Sequence, residues 1–97
     1  MSKEYLYLIT YDISDPKRLR QVFRIMEGYG EWVQLSVFQC RLSPRRYQRL
    51  IADLEKEIKQ HEDHVLLFKL WAADTQSAEF VSIGKAFQPI TKEPVII

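Results

Sequence analysis

Apolar residues recur along this chain in two periods, and the switches between them mark out its elements. Tyr5 to Asp12 is an aromatic and β-branched run, with Leu6, Leu8 and Thr10 on one side and Tyr5, Tyr7, Ile9 and Tyr11 on the other. That composition predicts a strand packed on at least one face. Asp15 then supplies an N-cap and Pro16 a first helical position, where a missing N–H costs nothing. Leu19, Val22, Phe23 and Met26 follow at helical spacing, so an amphipathic helix runs from Pro16 until Gly28 and Gly30 stop it.

Trp32 to Arg41 reads as a second strand, with Val33, Leu35 and Val37 on one face and Gln34, Ser36 and Phe38 on the other. Ser43 and Pro44 repeat the cap-and-first-turn device. Tyr47, Leu50, Ile51, Leu54 and Ile58 form the stripe of a second helix ending near Lys59–His61. His64 to Trp71 is a further strand, and Phe80 to Ile83 a short one closed by Gly84. The tail is apolar to its last residue, Ile97.

This order predicts an α+β sandwich, an antiparallel sheet with two helices on one face, in the split β-α-β arrangement of ferredoxin-like domains. Either Trp32–Arg41 bends into two strand segments, or the short strand at 80–83 completes the sheet. Two helices cover one sheet face, so the tyrosine-bearing face of the first strand is expected to need a cover. A symmetric homodimer is the simplest one. Residues 93–97 are expected to form a C-terminal strand pairing with the partner chain, since that apolar tail would otherwise be an exposed edge.

Ninety-seven residues make a single domain, 1–97, and a 46% hydrophobic share excludes a disordered chain. One cysteine, Cys40, excludes an intramolecular disulfide and a multi-cysteine zinc site. No apolar run reaches transmembrane length and the amino terminus lacks a signal-peptide pattern, so a cytoplasmic protein without membrane attachment is expected. The net charge of +1 conceals segregation. Residues 16–49 carry eight basic side chains against two acidic ones, whereas residues 50–63 carry five acidic against two basic.

Arginines gather near both helix starts, among them Arg18, Arg20, Arg45 and Arg46. Cations there oppose the helix dipole, so helix stability does not account for them; phosphate binding does. Solvated helix faces are the plainer alternative. Asp12, at the carboxyl end of the first strand, is either a turn carboxylate or a ligand of a hard cation such as Mg²⁺. One carboxylate makes a poor metal site, and two copies across a dimer axis make a reasonable one. Tyr11, Trp32 and Phe38 could stack on bases, with core packing the expected fate of two of the three. In His61-Glu62-Asp63-His64 the first His closes a helix and the second opens a strand, so a shared metal is not expected.

Three correctly spaced pieces carry a resemblance: Tyr11-Asp12-Ile13 ending a strand, a basic helix from Pro16 to Tyr29-Gly30, and Gln34-Leu35-Ser36-Val37-Phe38. Over about the first 42 residues the chain resembles the CRISPR-associated Cas2 proteins, small dimeric subunits of the spacer-acquisition machinery also described as metal-dependent nucleases. Trp32 stands where some members carry a basic residue. The resemblance implies a ferredoxin-like homodimer with the two Asp12 residues facing each other. It further implies that Asp12 binds Mg²⁺, with Mn²⁺ as the substitute, and is required for phosphodiester hydrolysis. The family's basic positions fall on Arg18 and Arg20 and its aromatic on Phe38, with Tyr11 as a further accessory. Two roles follow: a Mg²⁺-dependent endonuclease acting on RNA or double-stranded DNA in antiviral defence, or a non-catalytic adaptor that bridges integrase subunits and holds duplex DNA through Arg18, Arg20, Arg45 and Arg46.

Overall fold

The computed structural model describes residues 3–72, 83 and 84. Strand β1 (Tyr5–Asp12) leads to helix α1 (Pro16–Glu27), then to β2 (Gly30–Gln34) and β3 (Val37–Leu42). Helix α2 (Pro44–Glu57) and β4 (His64–Ala72) follow. The sheet order is β2-β3-β1-β4, with every neighbouring pair antiparallel. With both helices packed on one face, this is the expected ferredoxin-like α+β fold.

Both helices start as their sequences predict. Asp15 accepts from the Arg18 amide at 2.9 Å and Ser43 from the Arg46 amide at 3.3 Å, each satisfying an amide that has no intrahelical partner. Helix α1 ends at Glu27, and Gly28 keeps a right-handed φ of −75°. The Gly28 carbonyl is taken by the Arg46 guanidinium at 3.1 Å, so α2 caps the end of α1. Helix α2 ends at Glu57, a turn earlier than expected.

Of the two alternatives for completing the sheet, the bend is the one observed: Leu35 and Ser36 form a tight turn that folds residues 32–41 into two strand segments, the β2–β3 hairpin. Leu35 sits there at a φ of +42°, in the left-handed region that a branched side chain rarely adopts. The Trp32 indole N–H donates to its carbonyl at 2.8 Å and holds the turn. The hairpin supplies the sheet's fourth strand. Of the strand expected at Phe80–Ile83, all but Ile83 lies outside the described residues, and Ile83 is in no strand. The expected pairing strand at 93–97 also lies outside them.

A correction concerns the faces of β1. Tyr7, Ile9 and Tyr11 point toward the helices and are buried with Val22, Phe23 and Met26 of α1, Phe38, Cys40 and Leu42 of β3, and Leu50 and Leu54 of α2. The tyrosine-bearing side is therefore the core. The face left bare among the described residues is the opposite one, which β1 shares with Leu66 and Phe68 of β4, the partners of Thr10 and Leu8. Both of those β4 side chains are exposed, and so is Leu70. The hairpin meets the core at a point where Gly30 is obligatory. A Cβ there would lie 2.4 Å from both the Cys40 Sγ and the Gln39 carbonyl oxygen, and the absent side chain allows the approach.

Candidate functional site

Asp12 is the last residue of β1, and strand alternation turns it away from the helices onto the bare face. It is exposed, and no salt bridge or hydrogen bond engages its side chain among the described residues. The carboxylate stands between two landmarks. On one side, the Tyr11 amide donates to the Ser36 carbonyl at 3.1 Å, which brings the β2–β3 turn alongside. On the other, His64 is the direct register partner of Asp12 across the β1–β4 ladder and is also exposed. Cross-strand partners of this kind have Cβ atoms about 4.5–5.5 Å apart.

A buried ionic cluster joins Ser14, two residues beyond Asp12, to Asp63, the residue before His64. The Asp63 side chain is fully shielded from solvent, and the Arg18 side chain retains 14% exposure. Arg18 Nε donates to Asp63 Oδ2 at 2.8 Å and its Nη2 to Oδ1 at 3.2 Å. Nη2 also reaches Ser14 Oγ at 3.3 Å and Glu62 at 3.2 Å. The amides of Ser14 and Lys59 donate to the same carboxylate at 3.0 and 2.8 Å. The Arg18 hydrogen bond, supported by those two amides, holds the Asp63 carboxyl well below the usual carboxylate range despite its burial. The same pairing raises the Arg18 guanidinium further.

The other predicted site residues divide by location. Arg20 is exposed on the first half of α1. Arg45 and Arg46 are exposed at the start of α2, which follows the end of β3 opposite Tyr5. They stand at the far end of the sheet from Asp12, about 23 Å away at about 3.3 Å per strand residue. Arg46 also lies over the Tyr29 ring at 4.8 Å, while the Tyr29 hydroxyl donates to Asp53 at 2.6 Å. Tyr11 and Phe38 are buried, with ring centroids 6.3 Å apart, and Phe38 meets Phe23 edge-on. Burial raises the Tyr11 hydroxyl to about 12. These two aromatics lie in the core on the helix side of the sheet and offer no ring face to a base.

A hard divalent cation takes oxygen ligands, commonly one or two carboxylates, and retains several waters. The free Asp12 carboxylate fits such an ion as one ligand of a mostly hydrated shell. No group of three or more His, Cys, Asp or Glu side chains converges among the described residues, so the described part of one chain offers a partial site. Sequence reasoning did not place His64 and Asp63 here. Their tetrad was visible, but its proximity to Asp12 and Ser14 arises from strand pairing and a contact between distant segments.

Comparison with known proteins places this geometry in a family context. The model described as CRISPR associated protein Cas2 matches residues 5–78. A Rhodospirillum rubrum protein described as CRISPR-associated endoribonuclease Cas2 1 is 48% identical over 94 residues, covering 97% of this chain and 92% of that protein. A Geobacter sulfurreducens protein described as CRISPR-associated endoribonuclease Cas2 is 43% identical, covering 97% of this chain and 99% of that protein. In fold, a solved structure of a hypothetical protein from Thermus thermophilus matches with a TM-score of 0.72 at 27% identity, covering 88% of this chain and 99% of that one.

Proposed function

We propose that this chain, which belongs to the CRISPR associated protein Cas2 family, is the subunit of a homodimeric, Mg²⁺-dependent endonuclease in CRISPR defence, acting during spacer acquisition. The observation that carries the reading is the position of Asp12: exposed, free of protein partners among the described residues, and on the same bare face as Leu66 and Phe68. Two chains associating through those apolar side chains bring two Asp12 carboxylates to one interface, and the pair completes what one chain offers in part. Asp12 from each copy would hold the ion and orient the water beside the scissile phosphate. When bound, Mg²⁺ supplies charge neutralisation at the phosphate and lowers the pKa of the attacking water. The water oxygen would bond to phosphorus as it gives up a proton to solvent, the bridging P–O bond would break, and the leaving oxygen would take up a proton from solvent. Arg20 stands on the helix nearest this end to meet the backbone of the bound strand.

A second reading has its own observation. Arg45 and Arg46 lie at the other end of the sheet from Asp12, where they cannot reach a phosphate undergoing cleavage in the same chain. A surface so placed suits an adaptor that holds duplex DNA along its length and bridges integrase subunits without cutting. One experiment separates the two. Matched RNA and DNA substrates are incubated with wild type, Asp12→Ala and Asp12→Asn, with Mg²⁺ and with chelator, and association is checked by light scattering. The nuclease reading expects cleavage that disappears in both variants and in chelator while association persists. Cleavage undiminished in rigorously purified Asp12→Ala overturns it. Spacer integration that survives in Asp12→Asn favours the adaptor.

A further inference from the structure

We infer that Asp63 is the positioning residue of the Asp12 site, and that Arg18 serves this latch instead of contacting a phosphate. The inference rests on the reading of Asp12 as the reactive carboxylate.

The connectivity makes the case. Two residues beyond Asp12, Ser14 donates both its amide and its hydroxyl to Asp63 Oδ1, at 3.0 and 3.3 Å. One residue beyond Asp63, His64 is the register partner of Asp12. The path Asp12, Ile13, Ser14, Asp63, His64 and back to Asp12 is a closed ring of covalent bonds, hydrogen bonds and a strand pair. Asp63 Oδ2 takes the Lys59 amide and Arg18 Nε, both at 2.8 Å, fixing the third segment of the loop. A single carboxylate therefore sets both the chain leaving Asp12 and the strand facing it.

Stability alone does not ask for such a device. Desolvating an ion pair costs about as much as the pairing returns, and well-packed apolar groups often do as well. What a fully satisfied buried carboxylate supplies is fixed geometry, the role that outer-shell partners play around metal ligands. An Arg18 contact to phosphate would require a side chain that is 14% exposed to abandon Asp63, Glu62 and Ser14. The position to expect for a phosphate contact is the exposed Arg20, one half-turn on.

The test uses the full chain with Asp63→Asn, Arg18→Gln and the double variant. Readouts are kcat and KM for cleavage, Mn²⁺ affinity by electron paramagnetic resonance of the free ion, and the salt dependence of nucleic-acid binding. The latch expects kcat to fall about 100-fold, the usual cost of a misplacement of about 1 Å, with KM unchanged. Mn²⁺ affinity should fall about 10- to 100-fold. The double variant should be no worse than either single one, and the salt slope should stay at the wild-type value. Wild-type kcat and Mn²⁺ affinity in Asp63→Asn overturn the inference. So does a salt slope reduced by about 0.9 in Arg18→Gln alone, the signature of one lost phosphate contact. If Asp63→Asn does not fold, Arg18→Gln carries the test, and wild-type kcat and Mn²⁺ affinity in that variant overturn the inference equally. Cleavage retained in Asp12→Ala would instead sink the nuclease reading, a failure distinct from those above.

Discussion

Tyr7 of β1 and Tyr47 of α2 stack almost parallel, with ring centroids 4.2 Å apart and planes 9° from one another. This contact joins the sheet to the second helix at the end remote from Asp12. Removing the Tyr47 ring takes away a stacked pair and leaves part of the Tyr7 face uncovered. Tyr47→Ala should cost about 2 kcal/mol, between the stacking increment and the full loss of a buried aromatic. A urea titration should show a lower midpoint at an unchanged slope, and cleavage measured well below the new midpoint should keep the wild-type kcat.

The opposite face of β1 has no such cover among the described residues. Leu66, Phe68 and Leu70 are 43%, 48% and 39% exposed, a contiguous apolar strip next to Asp12 and His64. A lysine there costs the monomer little, because the side chain is already wet, but it places a charge in any interface built on the strip. Phe68→Lys should shift sedimentation from dimer to monomer, with Tm falling at dimer-populating concentrations and becoming independent of concentration. Cleavage should be lost with the dimer. A wild-type protein that sediments as a monomer would remove this surface from the proposed site.

How far the sequence discloses these features depends on how local each one is. Strand β1 and both helix starts were legible because Asp15-Pro16 and Ser43-Pro44 carry their capping chemistry in adjacent residues. The β2–β3 turn was not, because residues 32–41 contain no Gly, Pro, Asn or Asp to announce it. Leu35 accepts its unfavourable φ through a bond from Trp32 and a neighbouring strand contact at Ser36. Alternation along β1 separated its two faces but could not say which one the helices cover, since leucines and tyrosines can serve equally. Asp12 was legible as a strand-end carboxylate. Its relations to His64 and, through Ser14, to Asp63 join segments about 50 residues apart, and no local pattern records them.

Asp63 also makes stability depend on acid. Its folded-state carboxyl is held below the usual range, chiefly by the Arg18 hydrogen bond. The stabilisation is therefore fully present above the unfolded value of about 3.9 and is lost as pH falls through the depressed folded value. Asp63→Asn should melt below wild type by about 10 °C at pH 7. The gap should stay constant down to about pH 5 and narrow below about pH 4. A gap that does not change between pH 7 and pH 2.5 would mean that the ionised carboxylate is not what stabilises the loop.

The arginines make the last distinction, because they differ in what already holds them. Arg18 is spent on Asp63. Arg45 is exposed, and Arg46 lies over Tyr29 with one nitrogen on the Gly28 carbonyl, which leaves most of its guanidinium edge toward solvent. Strand spacing puts this pair about 23 Å from Asp12. That is about seven base pairs along a duplex rising 3.4 Å per step. A nucleic acid lying along the molecule can touch both ends at once, and a short one cannot. Arg45→Gln with Arg46→Gln should therefore weaken binding of a duplex of about 20 base pairs and reduce its log–log salt slope by about 1.8, at about 0.9 for each lost phosphate contact. Cleavage of an oligonucleotide of about five nucleotides should keep its kcat, since such a strand spans the Asp12 end alone. An equal loss on long and short substrates would place the arginines beside the reacting phosphate, which the separation of the two ends forbids within one chain.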